Sequence, residues 1–181
     1  NMWADGAEDI DPETGYATIR SNAQNRYVPN FSYGKGKIVW NFESVNMPAG
    51  TDGFLYLNGD TWHWNGAANG AGWIQIRIYP QDSTTKSSFK LHYDWTAEEF
   101  TLEESMNDIK TIELDTKVDP EDATKVNVTF SINGKVYYSG KKHNAFDLDG
   151  HKGVIFYSGF SGPFSPECTI VFKSLDYEVY E

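Results

Sequence analysis

Lys125-Val126-Asn127-Val128-Thr129-Phe130-Ser131-Ile132-Asn133-Gly134-Lys135-Val136 is the stretch on which the fold class turns. Val126, Val128, Phe130 and Ile132 alternate with Asn127, Thr129 and Ser131, the period of a strand with one buried and one wet face. Asn133-Gly134 follows at once, and this pair tolerates the two positive-φ positions that a two-residue hairpin loop demands. The stretch therefore predicts two antiparallel strands joined by a tight turn.

The same alternation recurs on either side. Ile38, Trp40 and Phe42 alternate with Val39, Asn41 and Glu43; Leu55 and Leu57 with Phe54, Tyr56 and Asn58. Ile74, Ile76 and Ile78 alternate with Trp73, Gln75, Arg77 and Tyr79, and Phe89, Leu91, Tyr93 and Trp95 with Lys90, His92 and Asp94. Segments 110–114, 154–158, 168–172 and 175–180 read the same way, giving about eleven short strands. Pro80-Gln81-Asp82-Ser83 and Asp119-Pro120-Glu121-Asp122 are turn sequences. One segment reads as helical: Thr96-Ala97-Glu98-Glu99 and Thr101-Leu102-Glu103-Glu104 fit a capping box, which predicts a turn or two of helix over Phe100 to Met106. The expected fold is all-β, a two-sheet antiparallel β-sandwich of jelly-roll type with at most one short helix, formed by residues 1–181 as a single domain.

Composition narrows the functional classes. The chain has 15 Lys+Arg against 26 Asp+Glu, a net charge of −11, which argues against a nucleic-acid backbone as partner because that binding depends on cations neutralising phosphates. No apolar run approaches the roughly 20 residues of a membrane helix, so membrane insertion is not expected. The single Cys forms no internal disulfide and no cysteine metal cluster. Cys168 shares a parity with Ile170 and Phe172 and reads as a small buried hydrophobe.

The closing part of the chain carries a family likeness. The Lys125–Val136 stretch, then Gly153-Val154-Ile155-Phe156-Tyr157-Ser158, then Thr169-Ile170-Val171-Phe172-Lys173-Ser174-Leu175 resembles the concanavalin A-like lectin and glucanase jelly roll over about the last 60 residues. In that superfamily an Asn-Gly hairpin precedes a glycine-led strand and a closing strand that returns beside the N-terminus. The resemblance implies the sandwich and a glycan ligand, whereas fold alone does not assign function.

Aromatics supply the candidate site. Three of the six Trp (Trp62, Trp64 and Trp73) fall within twelve residues, around a loop of glycines and small residues. Against the reading that they cap one end of the core stands a stacking platform for sugar rings, whose C–H faces pack on indole. With Ile74, Ile76 and Ile78 inward, Trp73, Gln75 and Arg77 take the opposite face; the next strand puts Lys90, His92 and Asp94 outward. If the two strands pair, Gln75, Arg77, Lys90, His92 and Asp94 become hydrogen-bonding partners for a polyhydroxylated ligand. An ordinary solvated face with weak Arg77–Asp94 and Lys90–Asp94 pairs explains the pattern equally well. The Trp cluster around one loop predicts a curved cradle, which suits a starch-type α-glucan first and a soluble β-glucan or hemicellulose second.

Catalysis is the minority expectation. The superfamily's glucanases carry a Glu-x-Asp-x-x-Glu strand motif that sets two carboxylates across the scissile bond, and no such motif occurs. Glu98-Glu99 and Glu103-Glu104 fall in the expected helical turn. Jelly-roll polysaccharide lyases use an Arg, Gln, His and Tyr set, and Gln75-Ile76-Arg77 matches their Gln-x-His strand only in part, with Arg where His should stand.

No catalytic residue and no required cofactor are therefore expected. Asp5, Asp9 and Asp11 lie in an acidic run rich in the hard oxygen donors calcium takes; a solvated acidic lead-in strand is favoured over a structural calcium there. Asn30-Phe31-Ser32 and Asn127-Val128-Thr129 match glycosylation acceptors, tripeptides that are common by chance.

The first expectation is a non-catalytic polysaccharide- or oligosaccharide-binding domain. It would be secreted or held at the cell surface, within a larger multidomain or multiprotein bacterial system that degrades polysaccharides. The others are a glycosidase or lyase on the same fold, and an adhesive sandwich whose Trp cluster is core or a protein interface.

Overall fold

The computed structural model describes residues 9–20, 24–27, 36–47, 54–60, 74–79, 88–93, 96–103, 105–143, 155–161 and 169–180. These form thirteen strands: β1 (Asp9–Ile10), β2 (Ala17–Arg20), β3 (Gln24–Tyr27), β4 (Gly36–Asn46), β5 (Phe54–Asp60), β6 (Ile74–Tyr79) and β7 (Ser88–Tyr93). They continue with β8 (Thr96–Thr101), β9 (Thr111–Val118), β10 (Lys125–Ile132), β11 (Lys135–His143), β12 (Ile155–Ser161) and β13 (Thr169–Val179). Two antiparallel sheets result, a seven-stranded one in the order β1-β2-β13-β4-β9-β10-β11 and a six-stranded one in the order β3-β12-β5-β6-β7-β8.

The hairpin at Asn133-Gly134 forms as its residues dictate. Ile132 pairs with Lys135 across Asn133 and Gly134, at φ of 49° and 80°. Asn133 does more than turn the chain. Its Oδ1 accepts the backbone N–H groups of Lys110 and Thr111 at 2.7 and 3.0 Å, and its Nδ2 donates to the Asp108 carbonyl at 3.0 Å. The turn at Asp119–Asp122 also forms, closed by Asp119 N–H to the Lys125 carbonyl at 3.0 Å.

Alternation places the core. Ile38, Trp40 and Phe42 of β4, Ile112 and Leu114 of β9, Val126, Val128, Phe130 and Ile132 of β10, and Ile170, Phe172 and Leu175 of β13 are all buried in one cluster. The Phe42 and Phe172 rings pack 5.0 Å apart. Each such side chain contributes on the order of 2 kcal/mol relative to exposure, which is why the pattern overrides local preferences. The closing strand β13 runs between β2 and β4, so the N-terminal and C-terminal strands are neighbours, as expected. Its two segments, separate in the sequence reading, are one eleven-residue strand whose register shifts on either side of Phe172 against β4.

The helical expectation is overturned. Thr96–Thr101 is β8, paired residue for residue with β7, and Phe100 lies within a strand instead of starting a helix. The capping-box residues there make a ladder instead, because pairing satisfies the backbone and seats Phe100 on the core. Among the described residues, helix is confined to the single 3₁₀ turn Met106–Asp108, whose first N–H groups are met by Ser105 Oγ accepting from Asn107 at 3.3 Å.

Candidate functional site

The two faces of the six-stranded sheet are identified at its edge strand. On β8, Phe100 packs against the core and its ring meets Tyr138 of the seven-stranded sheet at 6.0 Å, edge to face. Glu99, one residue earlier, is exposed. Residues directly opposite in adjacent strands share a face. The Phe100 row therefore runs Phe100, Phe89, Ile78, Leu55, Phe160 along the core side. The Glu99 row runs Glu99, Lys90, Arg77, Tyr56, Gly159, Gln24 along the outer side. A second outer row runs Ala97, His92, Gln75, Asn58, Tyr157, Arg26.

The expected pairing of these strands is thus present. Register sets Gln75 opposite His92 and Arg77 opposite Lys90 on the outer face. Trp62, Trp64, Trp73 and Asp94 lie outside the described residues. Tyr56, Asn58, Tyr157 and Arg26 join the face without having been singled out from sequence. The parity of Tyr56 and Asn58 was visible between Leu55 and Leu57; that β5 sits between β6 and β12 was not, since sequence parity does not name a strand's neighbours.

The strand assignment of β8 also corrects the placement of its acids. Glu98 and Glu99 are on a strand, on opposite faces of the sheet, and not in a helical turn. Glu99 and Asp60 are the two acids that the described strands place on the outer face. They stand on β8 and β5, three strand spacings apart across the sheet and four residues offset along it, or roughly 20 Å. A hydrolytic carboxylate pair needs at most about 9.5 Å. These two acids do not form one.

Among the described residues, no three His, Cys, Asp or Glu are grouped to hold a metal ion. Of the expected calcium donors, Asp5 lies outside the described residues and Asp9 is in β1. Asp11 begins the β1–β2 turn, its Oδ1 accepting the Glu13 N–H at 2.8 Å and its carbonyl the Gly15 N–H at 2.7 Å. The Glu13 amide holds the Asp11 carboxyl below the usual carboxylate range.

On the seven-stranded sheet, beside the register shifts of β13 against β4, lies a groove of about 330 Å³ lined by Asn41, Phe42, Glu43, Lys110, Thr111 and Lys173. Lys110 Nζ is committed there, donating to the Glu43 carbonyl at 2.8 Å.

No protein-family model matches the sequence, and no curated protein matches it. Solved structures do. The carbohydrate recognition domain of Emp47p superposes with a TM-score of 0.63 at 13% identity, covering 100% of this chain and 90% of that one. A legume lectin-like domain from Entamoeba histolytica gives 0.60 at 12% identity over 99% and 90% of the two chains. Bacillus licheniformis β-glucanase gives 0.52 at 12% identity over 97% and 90%. At such identities the likeness carries the fold alone, a two-sheet antiparallel jelly roll shared with these structures.

Proposed function

We propose that this protein binds a polysaccharide or oligosaccharide on the outer face of its six-stranded sheet, without cleaving it. The observation that carries the reading is the register. It gathers two tyrosines, two side-chain amides, two guanidinium residues, a lysine and a histidine (Tyr56, Tyr157, Asn58, Gln75, Arg26, Arg77, Lys90, His92) on one continuous surface. Tyrosine offers a flat apolar body with a polar tip, and the amides and cations offer several donors each, the chemistry that a polyhydroxylated ring needs. Carbohydrate recognition domains of the same fold lend support. The starch-type α-glucan and the soluble β-glucan remain ligands to test, their ranking resting on Trp62, Trp64 and Trp73. Secretion or surface display in a larger polysaccharide-degrading assembly accompanies this reading. So does a structural calcium at Asp5, Asp9 and Asp11, which a chelator would reveal by lowering Tm and an unchanged Tm would remove.

One observation favours a second reading, a polysaccharide lyase. Arg77, Gln75, His92 and Tyr157 share this face, and Arg, Gln, His and Tyr are the set that jelly-roll polysaccharide lyases use. Solved alginate lyases share the fold.

Affinity electrophoresis against a broad glycan panel tests the first reading. Retardation by at least one glycan, with no rise in unsaturated-product absorbance and no reducing-sugar release, is the expected result. Product release replaces binding with catalysis, and no retardation by any glycan leaves the adhesive sandwich.

A further inference from the structure

Asn133-Gly134 sets the tightest turn of the fold, and it is also a dipeptide open to attack by its own backbone. Asparagine is among the thermolabile residues, and glycine, with no Cβ, leaves the amide that follows Asn133 unshielded. Nucleophile and electrophile are neighbours in one chain, so the reaction is intramolecular. The Gly134 nitrogen gives up its proton and attacks Asn133 Cγ. The bond from Cγ to Nδ2 breaks, ammonia leaves with that proton, and a succinimide ring remains. Water then opens the ring at either carbonyl, leaving aspartate, or isoaspartate with the main chain rerouted through the side chain. Water is the one co-reactant, and nothing is oxidised or reduced.

The folded hairpin opposes each part of this. Asn133 Oδ1 accepts the N–H groups of Lys110 and Thr111 at 2.7 and 3.0 Å, and Nδ2 donates to the Asp108 carbonyl at 3.0 Å. All three partners are backbone groups, so no rotamer change in a neighbouring side chain releases them. They fit a planar carboxamide, whereas attack makes Cγ tetrahedral and expels the nitrogen that Asp108 holds. Water is close by all the same. Asn133 and Gly134 are both exposed, and no heavy atom lies within 4 Å of the position a Cβ on Gly134 would take. Opening the tip is therefore all that the reaction lacks.

Conversion also spoils the turn it starts from. A carboxylate at position 133 can still accept from Lys110 and Thr111, but it has no N–H for the Asp108 carbonyl and sets oxygen against oxygen there. Isoaspartate adds a carbon to the main chain of a two-residue loop. Either product weakens the link between the β10–β11 hairpin and the start of β9.

We propose that Asn133 is a latent deamidation site, silenced by its hydrogen bonds to Asp108, Lys110 and Thr111 and uncovered when the hairpin tip opens. Unfolding of this protein thereby leaves a permanent chemical mark at the turn, one that hinders return to the native state.

The test is peptide mapping of the whole wild-type chain after incubation at mildly alkaline pH in water labelled with heavy oxygen, with and without urea above the unfolding midpoint. Label taken up at position 133 counts conversions made during the incubation and excludes those made during digestion. The chain supplies its own references, since Asn58, Asn65 and Asn69 also precede glycine. In urea, Asn133 should convert at a rate within about threefold of theirs, because local sequence then governs all four. In the folded chain it should convert at least about tenfold more slowly than in urea, the least that three net hydrogen bonds supply. Equal rates at Asn133 with and without urea overturn the silencing, and a rate in urea far below that of the other three overturns the site. Asn133→Asp, which reproduces one product, should melt below wild type or fail to refold from urea. Wild-type melting and full refolding in that variant overturn the claim that the mark hinders return.

Discussion

Asn133 Oδ1 accepts the backbone N–H of Lys110 at 2.7 Å, tying the tip of the β10–β11 hairpin to the residue that leads into β9. The same side chain holds Thr111 N–H and the Asp108 carbonyl. One residue thus fixes both its own turn, at φ 49°, and the start of the neighbouring strand. Asn133→Ala loses three hydrogen bonds, each with a net value of about 1 kcal/mol, and puts at positive φ a residue that tolerates it less than Asn. The loss should be about 2–4 kcal/mol, seen as a lower urea midpoint at unchanged m-value. Asn133→Gly keeps the backbone freedom and should lose less.

Glu99 and Phe100 face opposite ways on β8, so truncating each should have opposite consequences. Phe100→Ala removes the inter-sheet contact with Tyr138 and should cost about 2–4 kcal/mol. Glu99→Ala, on the exposed side, should stay within about 0.5 kcal/mol of wild type. Denaturant melts of the two variants check this; the reverse order would mean the sheet faces are exchanged.

Asp119 is buried at the β9–β10 turn, in an ion pair with Lys141 and accepting Glu121 N–H at 2.9 Å. Lys141 first, and then the Glu121 amide, hold its carboxyl below the ordinary value of 3.8. A depressed native pKa gives stability that is fully present above the unfolded value and is lost as pH falls through the native one. Tm should therefore fall below about pH 4, and Asp119→Asn should lower Tm at pH 7 while flattening that acid limb. Tm against pH for the two proteins is the measurement.

Trp40 is buried on β4 among Ile38, Phe42 and Leu175. Trp40→Ala should cost about 3–5 kcal/mol, whereas a ligand-stacking tryptophan would change affinity and spare stability. Tm and glycan affinity of Trp40→Ala beside Trp73→Ala separate the two roles.

Much of the fold was legible because the seven-stranded sheet is written in strict alternation. Val126 to Ile132 and Ile38 to Phe42 bury every second residue, and Asn133-Gly134 admits few alternatives. The β6 and β7 parities are equally plain, so Gln75 with Arg77 and Lys90 with His92 each read as outward, and only the pairing of the two strands had to be supplied by the structure. What failed was Thr96–Thr101. Threonine and glutamate at capping spacing are a local signal, and a six-residue ladder to β7 outweighs it. Strands β2 and β3, with Thr18 and Arg20 or Gln24 and Arg26 in so few residues, have too little apolar pattern to announce themselves. Arg26 was missed for that reason. Tyr56, in a strand that was read, was missed because topology alone sets it beside Arg77.

The outer face of the six-stranded sheet, and not that of the seven-stranded sheet, should take the glycan. Tyr56→Ala on the first face and Lys173→Ala beside the groove on the second should be compared by calorimetry with whichever glycan the wild type binds. Truncating an aromatic anchor costs on the order of 1–3 kcal/mol, so Tyr56→Ala should weaken binding by about fivefold or more while Lys173→Ala leaves it unchanged. Full affinity in Tyr56→Ala with loss in Lys173→Ala would contradict the claim and move the site to the other sheet.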